Sequence, residues 1–482
     1  MPLHPKKVCL VSLGCAKNLV DSEIILGFLK KDGFELSVDP ASSDVIVINT
    51  CGFLEASRRE SIDKILEMAR YKDSGSCRAL VVAGCLTQKH GEELAADLPE
   101  VDLFVGTSEF DKLSELLRSQ FNPSPRHRGE GGRRPGEGGR VVVSRRQILP
   151  DPDLPRVQST LAHTTYVKIS EGCSHTCSFC TIPSIRGGLK SRTIDSIVRE
   201  VEGGVARGIK EFNLIAQDLN EFGRDLKNGS TLAGLLEKLD KIPGNYWLRL
   251  LYMYPLEFND RLIGVIRDAE HVVPYVDIPL QHISERVLLS MRRGSPGRYV
   301  RQLLTKLKTA IPIIALRTTF IVGYPGETEK EFQELCDFVQ EYEFDRVGVF
   351  QFSHEDGTPS AGLSDPIADE IKSSRYDCLM KIQQKVSRKK NAGLKGKIFT
   401  ALTEGASSDS SQTVARLASQ APEIDGVTLI RGACESGRFV SVRIVDTDDY
   451  DLFGEVTSDA PDSTSSRKPS VATDGERRPS RN

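Results

Sequence analysis

Long apolar runs are missing from this chain. No stretch approaches the 18 or more apolar residues of a membrane-spanning helix, so no membrane partner is expected. A hydrophobic signal core is missing too, because Met1 to Lys7 lead straight into a strand-like run. Net charge is nearly absent. With 64 basic and 67 acidic residues the balance is −3, so no whole-chain field marks a nucleic-acid partner, and any such partner needs a local patch. A disulfide framework is also lacking, since the 11 cysteines are odd in number and clustered. What remains is a cytoplasmic chain of 482 residues, long enough for two or three full-sized cores, whose clustered cysteines are best used on metal.

The densest cluster is Cys173-Ser174-His175-Thr176-Cys177-Ser178-Phe179-Cys180, spaced C-x3-C-x2-C. It follows a strand-like stretch, Tyr166 to Ile169, and precedes a basic loop, Ile185-Arg186-Gly187-Gly188. Three thiolates on one short loop can hold three irons of a cubane, whereas ferredoxin-type clusters use four cysteines. The fourth iron is then open to an outside ligand. A zinc site is the competing reading, but zinc pairs continue with a second pair or with histidines, and the nearest histidine here lies inside the loop.

The first hundred residues alternate strand and helix: 7–14, 44–49 and 79–83 as strands, with helices from about 18–31, 55–71 and 91–98. Each strand places one cysteine just past its carboxyl end, namely Cys15, Cys51 and Cys85. In open α/β sheets ligands sit in that crevice, so three loops can join cysteines 36 and 34 residues apart. A second three-cysteine cluster is the expectation, against three buried, inert thiols.

From 122 to 140 the sequence collapses to NPSPRHRGEGGRRPGEGGR, without an apolar residue. That composition predicts a flexible insertion. About 250 residues of strand-helix alternation follow, with six strand candidates, which predicts a parallel barrel, complete or open on one side. Its strand ends deliver the cysteine loop, then Gln217 and Asp218, Tyr252, Gln281 and His282, and the turn Gly323-Tyr-Pro-Gly-Glu327. A helical connector with a basic end covers 365–393. Short strands from 394 to 456 predict a small antiparallel β-barrel, and the Ser/Pro/Arg-rich tail is expected to be disordered. The expected units are therefore 1–121, an insertion at 122–141, a barrel at 142–393, a terminal barrel at 394–457 and a tail at 458–482. The class is α/β with a terminal β-barrel.

Two three-cysteine sites, a six-unit barrel and a terminal β-barrel, in that order, resemble the radical S-adenosylmethionine (SAM) methylthiotransferase family. Ser12-Leu-Gly-Cys15-Ala-Lys-Asn-Leu-Val-Asp21-Ser-Glu23, Gln420 to Gly426 and Asp449 to Glu455 look most like its branch acting on ribosomal protein S12. The tRNA-modifying members usually carry a Met-Asn-containing sequence at the first cysteine. The resemblance implies methylthio insertion at the β-carbon of an aspartate in S12, with an external electron donor. A radical is required because no acid-base arrangement readily deprotonates such a carbon. It implies two [4Fe-4S] clusters, one on Cys173, Cys177 and Cys180 that binds and cleaves SAM, and an auxiliary one on Cys15, Cys51 and Cys85. It further implies a substrate-binding TRAM domain at the C-terminus. SAM contacts are expected from Phe179, Gln217, Gln281, Gly323 and Glu327.

Charge separates two substrates. Residues 394–456 hold 6 basic and 10 acidic residues, a net of −4. A phosphate platform is basic, whereas an acidic face attracts a basic ribosomal protein. Asp446, Asp448 and Asp449 are the expected substrate contacts, and direct action on tRNA is not expected. A tRNA methylthiotransferase stays as the alternative, and from another class a non-catalytic iron–sulfur carrier.

Overall fold

The computed structural model describes residues 6–121, 139–408 and 411–459. The first unit runs β1 (Lys7–Ser12), α1 (Ala16–Lys31), β2 (Glu35–Ser37), β3 (Val45–Thr50), α2 (Glu55–Ala69), α3 (Tyr71–Ser74), β4 (Ala79–Gly84), α4 (Cys85–Asp97), β5 (Leu103–Val105), α5 (Leu113–Phe121) and β6 (Arg140–Val142). Its six strands form one parallel sheet in the order β2-β1-β3-β4-β5-β6. Two core clusters cover its faces. Val45 and Val47 join Val81, Ala83 and α1's Ile25 on one, while Ile46 and Ile48 join Leu80, Val82 and α2's Ile65 on the other. The uninterrupted hydrophobicity of these strands is that of parallel strands buried on both sides.

The expected end of this unit at 121 is corrected by β6. Val141 packs on one face of the sheet and Val142 on the other, so the chain returns to the first sheet before it enters the second. The expectation for the low-complexity segment falls on 122–138, outside the described residues, as does the tail from 460.

The second unit holds β7 (Thr164–Lys168), β8 (Ser170–Glu171), α6 (Ile182–Arg186), β9 (Lys190–Ser191), α7 (Ile194–Ala206), β10 (Glu211–Ile215), α8 (Leu232–Leu239), β11 (Trp247–Leu250), α9 (Asp260–Asp268), β12 (Val272–Gln281), α10 (Glu285–Ser290), α11 (Gly297–Ala310), β13 (Ala315–Val322), α12 (Glu329–Tyr342) and β14 (Arg346–Gln351). Six parallel strands run β14-β13-β12-β11-β10-β7, with β7 and β14 left as edges, so the barrel is open. Apolar helix stripes, such as Ile197 and Val201 of α7 and Leu335 and Val339 of α12, pack on its outside.

Helix α13 (Asp369–Ala392) leads to β15 (Ile398–Ala406), β16 (Gln412–Leu417), β17 (Thr428–Arg431), β18 (Phe439–Thr447) and β19 (Leu452–Asp459), a closed barrel ordered β15-β16-β17-β19-β18. The expected all-antiparallel pattern is corrected at one seam, where β17 and β19 run parallel. One cluster then joins all three units: Val20 and Ile24 of α1, Tyr166, Ile215, Trp247 and Tyr275 of the open barrel, and Leu402 and Ala421 of the terminal one. Glu211 is buried between Arg249 (2.9 Å) and Arg416, tying the two barrels together. Burial alone would raise its carboxyl, but the two guanidiniums hold it at about 2. Among the described residues no helix is long and apolar enough to cross a membrane.

Candidate functional site

The β8–β9 hairpin brackets the C-x3-C-x2-C loop. Gly172 opens the loop at φ +76, where a Cβ would lie 2.1 Å from the Gly188 carbonyl oxygen, so only glycine lets the two ends close. The Cys173 N–H donates to the Gly187 carbonyl (3.0 Å) and the Ser178 N–H to that of Met291 (3.0 Å). Phe179 packs with Val287, Met291, Tyr324 and Phe352, which pins the loop to α10 and β13. Two donors point at its sulfurs: the Ile182 N–H at Cys180 Sγ (3.4 Å) and Arg293 Nη1 at Cys177 Sγ (3.5 Å). Arg293 also lies over the Tyr254 ring at 3.9 Å, and His175 stacks on that ring at 3.9 Å while bonded to Asp218 (2.7 Å). The nearest histidine is thus engaged elsewhere.

Burial pushes the Cys173 thiol up to about 11 and the Cys180 thiol to about 12, with Cys177 adding repulsion to both. Three such thiolates are stable together only against a multiply charged cation. Among the described residues the one group tight enough for a single ion is His175, Asp218 and Glu221, within 4.8 Å. Neither cysteine triad is gathered so closely, which fits a cluster that gives each thiolate its own iron rather than one zinc ion.

The second triad lies at the carboxyl ends of β1, β3 and β4. Thr50 and Gly84 are paired in register, so Cys51 and Cys85 leave adjacent strands side by side. At Gly14 (φ +89) a Cβ would meet Cys51 Cβ at 2.8 Å and Sγ at 3.3 Å, which brings the loop of Cys15 against Cys51. Asn18 knits the three loops. Its Nδ2 donates to the Leu13 and Thr50 carbonyls (3.0 and 2.9 Å), and its Oδ1 accepts from Cys85 Sγ (3.5 Å) and Arg186 Nη2 (2.7 Å). Burial pushes the Cys85 thiol to about 12; Arg186 opposes this, and Cys51 and Cys15 reinforce it. Cys15 stands at the N-cap position of α1 and Cys85 begins α4, so two helix N-termini favour anionic sulfur there. Cys9 and Cys77, by contrast, are plain core residues of the first sheet.

A buried polar network connects the two triads. Arg186 donates to Cys85 Sγ (3.0 Å) and Asp21 (2.6 Å) and pairs with Glu171 (3.3 Å). Lys168 bridges Asp21 (2.5 Å) and Glu171 (2.8 Å), and Gln217 donates to Glu171 (2.7 Å). Glu171 is stabilised as a carboxylate, the cost of burial being outweighed by Lys168 and Arg186. Beside it Lys17 of α1 reaches across to the barrel, donating to the Ala216 carbonyl (3.3 Å) over the Tyr252 ring (3.1 Å). Sequence reasoning missed Lys17, Asn18, Asp21, Lys168, Glu171, Arg186 and Arg293 as site residues. Lys17, Asn18, Asp21, Lys168 and Arg186 all lie within segments singled out above, but polarity beside a cysteine does not say which other loop it meets.

The residues expected at SAM divide. Gln217 faces the network, with its Oε1 buried and unpartnered, and Gln281 ends β12 at φ +72. Phe179 serves packing. Glu327 accepts from the N–H groups of Gly323 and Tyr324 (3.1 Å for the latter), so it braces its own turn. On the terminal barrel Asp449 binds Arg388 and Gln384 of α13, and Asp446 pairs with Lys395 (3.2 Å). Asp448 accepts from the N–H groups of Tyr450 and Asp451 (2.8 and 2.6 Å).

Family models match along the chain in order: Uncharacterized protein family UPF0004 at residues 7–106, the Radical SAM superfamily at 167–339 and the TRAM domain at 396–457. The ribosomal protein uS12 methylthiotransferase RimO of Geotalea uraniireducens (strain Rf4) is 46% identical over 453 residues, covering 94% of this chain and 98% of that protein. The protein of the same name from Syntrophotalea carbinolica (strain DSM 2380 / NBRC 103641 / GraBd1) is 45% identical over 460 residues, covering 95% and 98%. Among solved structures, the radical S-adenosylmethionine methyltransferase TsrM from Kitasatospora setae superposes with a TM-score of 0.53 at 18% identity, covering 74% of this chain and 77% of that one, a likeness of fold.

Proposed function

Since the chain belongs to the ribosomal protein uS12 methylthiotransferase RimO family and is a radical SAM methylthiotransferase, we propose that it methylthiolates the β-carbon of an aspartate in S12 with two iron–sulfur clusters, one on each cysteine triad. The observation that carries the two-cluster reading is the bond from Arg186, six residues past Cys180, to Cys85 of the other triad. When bound, the cluster on Cys173, Cys177 and Cys180 supplies the electron that cleaves SAM, and the auxiliary cluster supplies the sulfur to be transferred.

The chain's own residues hold these groups in place. Arg293 and the Ile182 N–H stabilise anionic sulfur on the barrel loop, and Arg186 does so at Cys85. Gln217 and Gln281, at the ends of β10 and β12, are the SAM contacts this reading retains; Gly323 shapes the adjoining turn. Reductant enters from an external donor.

Protein rather than tRNA is the substrate this reading favours. In the terminal barrel Arg416 is buried against Glu211, and Arg431 and Lys395 pair with Glu455 and Asp446, so half of its six basic residues are already matched with acids in a unit whose net charge is −4. Exposed Asp446 and Asp448 are the proposed contacts for basic S12, whereas Asp449 holds the barrel on α13. The test is anaerobic reconstitution of the full chain with SAM, reductant, and either S12 or bulk tRNA. One methylthio group on an S12 aspartate is expected by mass spectrometry, and modified tRNA with untouched S12 would overturn the reading.

A further inference from the structure

Lys17 is placed against local preference. It sits in the first turn of α1, where the helix dipole disfavours a cation, and its half-buried ammonium makes one hydrogen bond, to Ala216. No carboxylate among the described residues forms an ion pair with it. The nearby carboxylates are already used: Asp277 by Arg317 (2.8 Å) and the Tyr252 N–H (3.2 Å), and Glu171 by Lys168, Arg186 and Gln217. An ammonium has three donors, so two remain unspent in a low-dielectric seam. Tyr252 below it is held at φ +66, and Gln281 on the next strand at φ +72, unusual for residues with side chains and typical of functional sites.

The position is informative. Lys17 lies two residues after Cys15 and touches the carboxyl ends of β10 and β11, so it spans the gap between the sulfur-bearing triad and the open barrel. A carbon that loses hydrogen to a radical from the barrel side and gains sulfur from the other side must lie in that gap. In an aspartate the β-carbon is bonded directly to the carboxylate, so holding the carboxylate fixes the reacting carbon one bond away.

We propose that Lys17 is the carboxylate anchor for the substrate aspartate and sets the enzyme's choice of aspartate over its amide. The inference rests on the S12 reading above. Its test is Lys17→Gln in the full chain, with Lys17→Arg as a second variant that keeps the charge. Binding of S12 loop peptides carrying Asp or Asn at the modified position is measured directly, beside turnover, iron content and SAM affinity. Wild type should prefer Asp, and in Lys17→Gln that preference should fall about 10- to 100-fold, the loss of one charge-assisted hydrogen bond. Lys17→Arg should retain part of it, and iron and SAM affinity should stay at wild-type level in both. An unchanged Asp/Asn ratio in Lys17→Gln overturns the proposal, whether or not iron or SAM binding falls. Absence of S12 turnover by wild type would instead sink the substrate reading, and the peptide binding ratio would still judge Lys17.

Discussion

Arg186 donates from Nη2 to Cys85 Sγ at 3.0 Å although 101 residues separate them. The guanidinium belongs to the helix that follows the barrel's cysteine loop, and the sulfur to the first turn of α4 in the other sheet. Its other nitrogen holds Asp21, so one side chain ties both cysteine sites and α1 together. A planar fork suits this triple contact better than a point charge.

Replacing Arg186 by Met leaves Asp21 and Glu171 with Lys168 as their remaining cation and removes a donor from the Cys85 sulfur. The variant should lose about 3–5 kcal/mol of stability, the usual cost of breaking a buried ion network from one side. It should also lose iron from the Cys15, Cys51, Cys85 site before the other. Denaturant midpoints and iron per chain measure both. Arg186→Lys should recover less than half of the loss; full recovery would show that only charge matters.

The two triads should separate in what they support. Alanine at Cys173, Cys177 and Cys180 should abolish 5′-deoxyadenosine together with product. Alanine at Cys15, Cys51 and Cys85 should roughly halve iron by the one-cluster-per-triad reading while SAM is still cleaved and no methylthio group appears on S12. Full iron and full product in the second variant would reduce those cysteines to core thiols.

Glu211 gives a pH signature. Its folded carboxyl lies at about 2 against an ordinary 4.5, so its contribution is complete above about 4.5 and is lost as pH falls towards 2. That contribution is on the order of 3 kcal/mol. Glu211→Gln should be less stable than wild type at pH 6, and the gap should narrow on acidification to pH 3. Denaturation midpoints at the two pH values test this, and a constant gap would mean that the carboxylate does not carry the contact.

Charge reversal at Asp446 and Asp448 should weaken S12 binding, and added salt should mimic it. Asp449→Lys should behave differently, loosening the terminal barrel from α13 by losing Arg388 and Gln384. Limited proteolysis between 392 and 398 distinguishes the two effects. Equal S12 affinity in the first pair of variants would move the docking face elsewhere.

Much of this protein could be read without coordinates. The C-x3-C-x2-C spacing is covalent, so three thiols on one loop follow from the sequence whatever the fold. Period and burial class also follow locally: Val45–Thr50 is apolar at every step because both sheet faces are covered, and the six strand-helix units of the open barrel announce themselves by alternation. The strand-end rule placed Cys15, Cys51 and Cys85 in one crevice. The reading failed where a short strand depends on a distant neighbour. Arg140–Val142 is three residues long and becomes a strand only because β5 offers an open edge. The parallel seam between β17 and β19 was likewise out of reach, since register is a property of two strands.

The sequence by itself determined the spacing of the cysteines, the order of the units and the class of chemistry, because these depend on residue type, spacing and periodicity. Only the tertiary structure decided which side chains share a space. Lys17 meets Tyr252 across 235 residues, Arg416 meets Glu211 across 205, and Arg186 finds Cys85. Such contacts arise when whole units pack on a common apolar cluster. Their strength comes from excluding water around groups that, along the chain, are ordinary solvated charges.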